Sequence, residues 1–112
     1  MPMKKYLIII FGAILVAMLW ITVTASLQEN VFTAGARLWP DPWFQATLAD
    51  AYFGFITFLV WALYKEKSYL ARILWVVLVL AFGNIAMSVY VLLKVFQLEK
   101  DESWPELLLR RD

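Results

Sequence analysis

Asp50 is the one acidic residue inside a long apolar stretch, the run from Trp43 to Tyr64. A carboxylate within a membrane-spanning helix costs up to ~3 kcal/mol at the bilayer centre, and such residues often mark the path of a substrate, ion or proton. On a helix, Thr47, Gly54 and Thr57 share a small, polar face with Asp50. This pattern indicates a site in which Asp50 is an anion or proton acceptor.

The other apolar stretches supply polar side chains that could join Asp50. If two antiparallel helices follow the first, position 50 lies near the level of positions 88 to 92. The predicted cluster consists of Asp50, Asn84, Ser88, Tyr90, Lys94 and Thr22, with Thr24 as an alternative to Thr22. Two other interpretations remain open: the cluster only pins the helix packing, at ~0.6–2 kcal/mol per contact, or Asp50 reaches the surface.

Small residues on the same stretches predict where the helices touch. Ala13 and Ala17 lie on the first stretch, Gly54 on the second and Gly83 on the third. Small side chains let helix backbones approach closely in a membrane. We therefore expect these positions at helix–helix contacts.

The composition limits the chemistry. The chain has no His and no Cys, so a metal site would have to use oxygen ligands alone. We predict no catalytic residues, no metal and no cofactor, since an enzyme would depend on Asp50, Tyr90 and Lys94. The net charge of +1 gives no basic field for nucleic acid.

The elements that position these residues are predicted to be membrane-spanning helices. With 63% hydrophobic residues in 112, the chain has too little polar surface for a soluble domain. Helices of about 20 apolar residues cross the hydrocarbon layer. The predicted spans are residues 5–27, 43–64 and 69–97, joined by a loop at 28–42 and a turn at 65–68. The first span also resembles a signal peptide with a cleavage site at Val23-Thr24-Ala25, but its length favours a retained helix.

These elements predict an all-α integral membrane protein with three transmembrane helices, up-down-up. Residues 1–98 form one three-helix domain, and residues 99–112 form a short amphipathic tail. Asp41-Pro42 and Ser68 are start signals for the second and third helices, and Ser103 with Glu106 has capping-box spacing in the tail. Positive charge before the first span and in the turn favours a cytoplasmic N-terminus, with the tail outside.

Three segments carry a resemblance to a known family: WPDPWFQATLADAYFGFITFLVWALYKEKS, RILW and GNIAMSVYVL. They resemble the DUF1475 family, hypothetical membrane proteins of bacteria and plants, over about residues 5–98. The resemblance implies a small multi-helix membrane protein and supplies no activity.

Two functions are expected from these features. The first is a non-catalytic accessory or assembly subunit, acting through helix–helix contacts in a larger membrane protein complex. The second is a small homo-oligomeric transporter or channel built around Asp50 and Asn84. In both, the chain is a multi-pass protein of the lipid bilayer, in the inner (plasma) membrane of a bacterium.

Overall fold

The computed structural model describes residues 2–98 and 104–110, and the regular elements within these ranges are all helices. In chain order they are α1 (Pro2–Gln28), α2 (Val31–Leu38), α3 (Pro42–Lys65), α4 (Tyr69–Phe82), α5 (Asn84–Phe96) and α6 (Trp104–Leu108). The all-α prediction is therefore confirmed for this part of the chain. Ser103 and the other tail residues 99–103 and 111–112 lie outside the described residues.

Among the described helices, α1 and α3 are long and apolar enough to cross a membrane. The start of α3 follows the predicted signal, because Asp41 Oδ1 accepts a hydrogen bond from the backbone N–H of Trp43 at 2.8 Å and Pro42 is the first helical residue. Ser68 likewise caps α4, accepting from the N–H of Ala71 at 3.4 Å. Both predicted N-caps are confirmed.

The third predicted span is wrong as a single helix, because Gly83 divides it into α4 and α5. Gly83 has φ 56° and ψ −124°, a conformation that side chains disfavour. Its N–H bonds the Val79 carbonyl at 2.8 Å, which ends α4, and its own carbonyl accepts from Met87 at 3.0 Å in α5. The 14 and 13 residues of α4 and α5 are each about 20 Å long, too short to cross ~30 Å of hydrocarbon.

The chain reverses at Gly83, so α4 and α5 form an antiparallel hairpin. Trp75 and Tyr90, about equally far from Gly83 in sequence, have ring centroids 4.8 Å apart. The tip of the hairpin lies beside the middle of α3, where the Tyr52 hydroxyl donates to the Leu80 carbonyl at 3.1 Å. The part of α3 that precedes Tyr52 is about 15 Å long and extends beyond the tip of the hairpin.

This reversal places the tail at the same end of the molecule as the N-terminus, which corrects the predicted up-down-up path. Lys4 Nζ donates to the carbonyl of Leu98, just after α5, at 3.1 Å. We call this end of the molecule, where α1 and α4 begin and α3 and α5 finish, the basic end. It carries Lys4, Lys5, Lys65, Lys67, Arg72, Lys94 and Arg110, which are all the described Lys and Arg residues except Arg37.

Helix α5 is the centre of the packing. One face of it joins α1 and α6 through a buried cluster of Leu7, Val91, Val95, Leu98 and Leu107. Another face joins α3 and α4 through Leu59, Val79 and Ala86. The shorter hairpin thus holds together the two longer helices near the basic end.

The predicted loop 28–42 contains the short helix α2 at the opposite end. Asn30 caps it by accepting from the N–H of Phe32 at 2.7 Å, and Arg37 pairs with Glu29 at 2.5 Å. The hydrogen bond from Arg37 lowers the pKa of the Glu29 carboxyl. The polar face of α2 is therefore tied back to the end of α1, while Val31 and Phe32 stay exposed.

Candidate functional site

The most buried polar group of the predicted cluster is Tyr90, on α5. Its side chain is fully buried, and its hydroxyl donates to Glu66 Oε2 at 3.0 Å, with the Ala62 carbonyl at 3.4 Å as a longer acceptor. Glu66 is the residue that follows α3. Tyr90 therefore joins the middle of the hairpin's second helix to the basic end of α3.

Three aromatic rings fix the position of the Tyr90 ring. Phe58, Trp61 and Trp75 meet it edge to face, with centroids 5.6, 5.4 and 4.8 Å away. Such pairs are each worth about 0.5–1.5 kcal/mol beyond the area they bury. These rings come from α3 and α4, so the Tyr90 ring packs against both of these helices.

Lys94 completes this group. Its Nζ lies 2.5 Å from Glu66 Oε2 and 5.1 Å from the centroid of the Tyr90 ring. The Lys94 and Glu66 side chains are only 15% and 13% exposed. Two partly buried charges that neutralise each other, together with the hydroxyl donor, tie α5 to the end of α3.

A second set of bonds holds α6 against α3. Lys65 Nζ donates to the carbonyls of Glu106 and Leu109 at 3.1 and 2.9 Å, and Trp61 Nε1 donates to that of Leu108 at 2.8 Å. These acceptors lie at the C-terminal end of α6, where a cation is favoured. The tail helix is thus ordered by its own chain.

A charged cleft opens between these two sets of bonds at the basic end. It has a volume of about 320 Å³ and is lined by Lys65, Glu66, Lys67, Ser68, Lys94, Gln97 and Glu106. Glu106, one of these lining residues, has a buried Oε2 with no hydrogen-bond partner among the described residues. An unsatisfied buried carboxylate oxygen calls for a donor, so the cleft is able to take a small polar group.

An apolar groove of about 320 Å³ lies on the other side of α6. Its walls come from α1, α3, α5 and α6, and include Phe11, Trp61 and Leu107. Asn84 and Ser88 of the predicted cluster line this groove, where they are exposed and buried respectively. They do not line the charged cleft, to which Lys94 of the predicted cluster belongs.

The structure does not bring Asp50 together with Tyr90 and Lys94. Asp50 is exposed and forms no hydrogen bond or ion pair with a residue in the described ranges. Ala62, the α3 residue beside the Tyr90 hydroxyl, is about 18 Å from Asp50 along the helix. Thr22 is also elsewhere, in a cleft between α1 and α2.

The four positions predicted at helix–helix contacts also differ in how closely they are packed. Ala13, Ala17 and Gly54 are exposed or open, and a Cβ added to Gly54 would have no atom within 4 Å. Gly83 is buried, and a Cβ there would lie 2.7 Å from Phe55 Cζ. Of the four predicted packing positions, Gly83 is therefore the one at which two parts of the chain approach closely.

Sequence reasoning missed Glu66, the acceptor for both Tyr90 and Lys94. It stands in the short turn Lys65-Glu66-Lys67, which reads as a solvated connection. The dipeptide Gly83-Asn84 is the one local signal of a turn in this stretch, and it is a weak one because glycine is also common inside spanning helices. A hairpin at that point brings Lys94 back to Glu66.

One comparison with known proteins identifies a relative. The family model described as "Protein of unknown function (DUF1475)" matches residues 2–110, so the match extends past the expected residue 98 into the tail. No curated protein and no solved structure matches the chain.

Proposed function

The chain belongs to the DUF1475 family, whose function is unknown, and we propose that it is a non-catalytic accessory or assembly subunit of a membrane protein complex. In this proposal α1 and α3 cross the inner membrane of a bacterium, and the α4–α5 hairpin enters the bilayer from the cytoplasmic side and returns. The surface that binds the partner is the exposed face of α3 around Asp50.

Large apolar side chains that are exposed on α1 and α3 support a location in the lipid bilayer. Leu27, Trp20 and Phe53 are 83%, 74% and 67% exposed. In water this much bare apolar surface costs roughly 25 cal/mol per Å², whereas in hydrocarbon it costs nothing. The basic end, with all but one of the described cations, fits the cytoplasmic side.

The single observation that carries the proposal is the position of Asp50. It lies beyond the hairpin tip, exposed on a face of α3 that also holds Thr47, Gly54 and Thr57. About eight residues, or ~12 Å, separate it from the start of α3. A carboxylate at that depth is costly against lipid and is stabilised by a helix that brings a donor, which supports a partner on this face.

The same observation favours one second role. If the partner is another copy of this chain, several Asp50 carboxylates surround a common axis, as in a small homo-oligomeric transporter or channel. Charged residues that line such a path are a general feature of membrane transport. The two roles differ in the mass of the assembly and in what Asp50→Asn removes.

The test is purification from native membranes in mild detergent, followed by mass determination of the intact assembly. We expect a complex that contains a second, different chain and that resists extraction from membranes by alkaline carbonate. Gly54→Phe should release the partner, because it enlarges the Asp50 face where the chain itself leaves open space. Val60→Phe is the matched control, since Val60 is 68% exposed on another face of α3.

Each result decides between the roles. A monomer, or an assembly that survives Gly54→Phe, would count against the accessory role. A complex made only of copies of this chain would support the transporter, provided that Asp50→Asn stops flux in proteoliposomes while the assembly stays intact.

A further inference from the structure

We propose that the charged cleft at the basic end binds the headgroup of a phospholipid with a primary amine, of the phosphatidylethanolamine class, with the ammonium on Glu106 and the phosphate on Lys67. The inference rests on the proposed membrane location. It concerns a different part of the molecule from the Asp50 face.

Glu106 is the residue of the cleft that favours an ammonium group. Glu106 lines the cleft, and its buried Oε2 has no partner among the described residues. The nearest cation along the wall, Lys65, already donates to two main-chain carbonyls of the tail. A group with an N–H that enters the cleft would satisfy the carboxylate oxygen, and a positive charge would strengthen that bond.

Lys67 is the residue of the cleft that favours a phosphate group. Of the three lysines that line the cleft, Lys65 is held by the tail and Lys94 by Glu66, whereas Lys67 is exposed and makes no hydrogen bond or ion pair within the described ranges. Its exposed side chain lies among the residues that line the cleft. Within one headgroup, the ammonium would therefore meet the Glu106 carboxylate inside the cleft, and the anionic group next to it would meet Lys67 at the rim.

The depth of the cleft selects a lipid as the source of these two charges. It is built where α3 ends and α4 begins, at the level that headgroups occupy when α3 crosses the bilayer. A headgroup at this level is held near the cleft by its own membrane, so modest affinity is enough. The free headgroup, phosphoethanolamine, lacks that advantage.

Comparison of two lipids isolates the step that Glu106 performs. Phosphatidylcholine differs from phosphatidylethanolamine only in the methyl groups on its nitrogen, which remove every N–H donor. Native mass spectrometry of the purified chain, with equal amounts of the two lipids added, should show about tenfold preference for phosphatidylethanolamine, as expected for one buried acceptor left unsatisfied. Phosphatidylglycerol should bind less well than phosphatidylethanolamine, and free phosphoethanolamine should not compete.

Glu106→Gln should abolish the preference, because an amide no longer provides the charged acceptor, while the Lys65 bonds to main-chain carbonyls remain. Lys67→Gln, an exposed change that does not threaten folding, should weaken both lipids equally and keep the preference. Glu29→Gln, at the opposite end, is the control and should change nothing. Equal binding of the two lipids by the unaltered chain, or a preference that survives Glu106→Gln, would overturn the site. Competition by free phosphoethanolamine would overturn the choice of a lipid as the source of the headgroup. Release by alkaline carbonate would overturn the membrane location as well.

Discussion

Lys94 Nζ lies 2.5 Å from Glu66 Oε2, so the last turn of α5 is tied to the residue that follows α3. This pair closes a loop in the chain that runs out along α4, turns at Gly83 and returns along α5. Because the Tyr90 hydroxyl also reaches Glu66, two residues of α5 meet the end of α3 at one carboxylate.

Replacing this carboxylate should loosen the hairpin. Glu66→Gln leaves the ammonium of Lys94 partly buried without its counter-charge, and removing one member of a buried pair typically costs roughly 3 kcal/mol. We expect that loss in the free energy of unfolding, measured by denaturant titration in detergent with tryptophan fluorescence as the signal.

The double variant Glu66→Gln with Lys94→Met distinguishes the charge from the packing. Without the lysine no charge is stranded, so most of the lost stability should return. Glu29→Gln breaks the exposed pair with Arg37 and should leave unfolding nearly unchanged. If Glu66→Gln and Glu29→Gln lower the free energy of unfolding equally, the pair of Glu66 with Lys94 contributes no more to stability than an exposed ion pair.

Gly83→Ala should destabilise the hairpin for two separate reasons. The backbone there has φ 56°, and the new Cβ would lie 2.7 Å from Phe55 Cζ. Strain of this kind costs roughly 1–3 kcal/mol. In a chain that already carries Phe55→Ala, Gly83→Ala should cost less, because only the part due to φ remains. Gly12→Ala is the control, since nothing lies within 4 Å of its Cβ, and alanine there should be neutral or favourable by up to ~1 kcal/mol.

The helices themselves could be predicted, since they depend on local signals. Long apolar runs must be helical in lipid, and Asp41, Pro42 and Ser68 mark starts by short-range hydrogen bonds and fixed φ. Such signals need nothing from the rest of the chain. The prediction therefore places the starts of α3 and α4 at the residues where the structure has them.

The turn at Gly83 could not be inferred in the same way, because glycine is common inside spanning helices. What turns the chain is tertiary: Phe55 fills the space that a side chain at 83 would need, and Tyr52 bonds the Leu80 carbonyl near the tip. A straight third helix would carry Tyr90 and Lys94 toward Asp50. Reversal carries them to Glu66, which is why the predicted cluster divides between two ends of the molecule.

Leu107 should decide whether the tail stays docked. It is 3% exposed and packs in the cluster with Leu7 and Val91, whereas Leu109 is 54% exposed. Leu107→Ala removes buried methyl groups, worth about 2–4 kcal/mol, from a helix of five residues that has little stability of its own. We expect faster proteolysis at the tail with Leu107→Ala and no change with Leu109→Ala. Identical rates would argue that the hydrogen bonds from Trp61 and Lys65 hold α6 without this contact.

The two topologies make opposite predictions for the side of the membrane on which residue 109 lies. A hairpin returns the tail to the side of the N-terminus, whereas a third span carries it across.

The chain has no cysteine, so one cysteine introduced at an exposed position is the single thiol that can be labelled. The four substitutions are Lys5→Cys, Ala36→Cys, Lys67→Cys and Leu109→Cys. With a membrane-impermeant maleimide added to intact cells, we expect labelling of Ala36→Cys alone, because in the proposed topology the cation-rich end faces the cytoplasm. After permeabilisation all four should react. Labelling of Leu109→Cys together with Ala36→Cys in intact cells would mean that α4 and α5 cross the bilayer as one unit, and the hairpin would then be excluded as the membrane form.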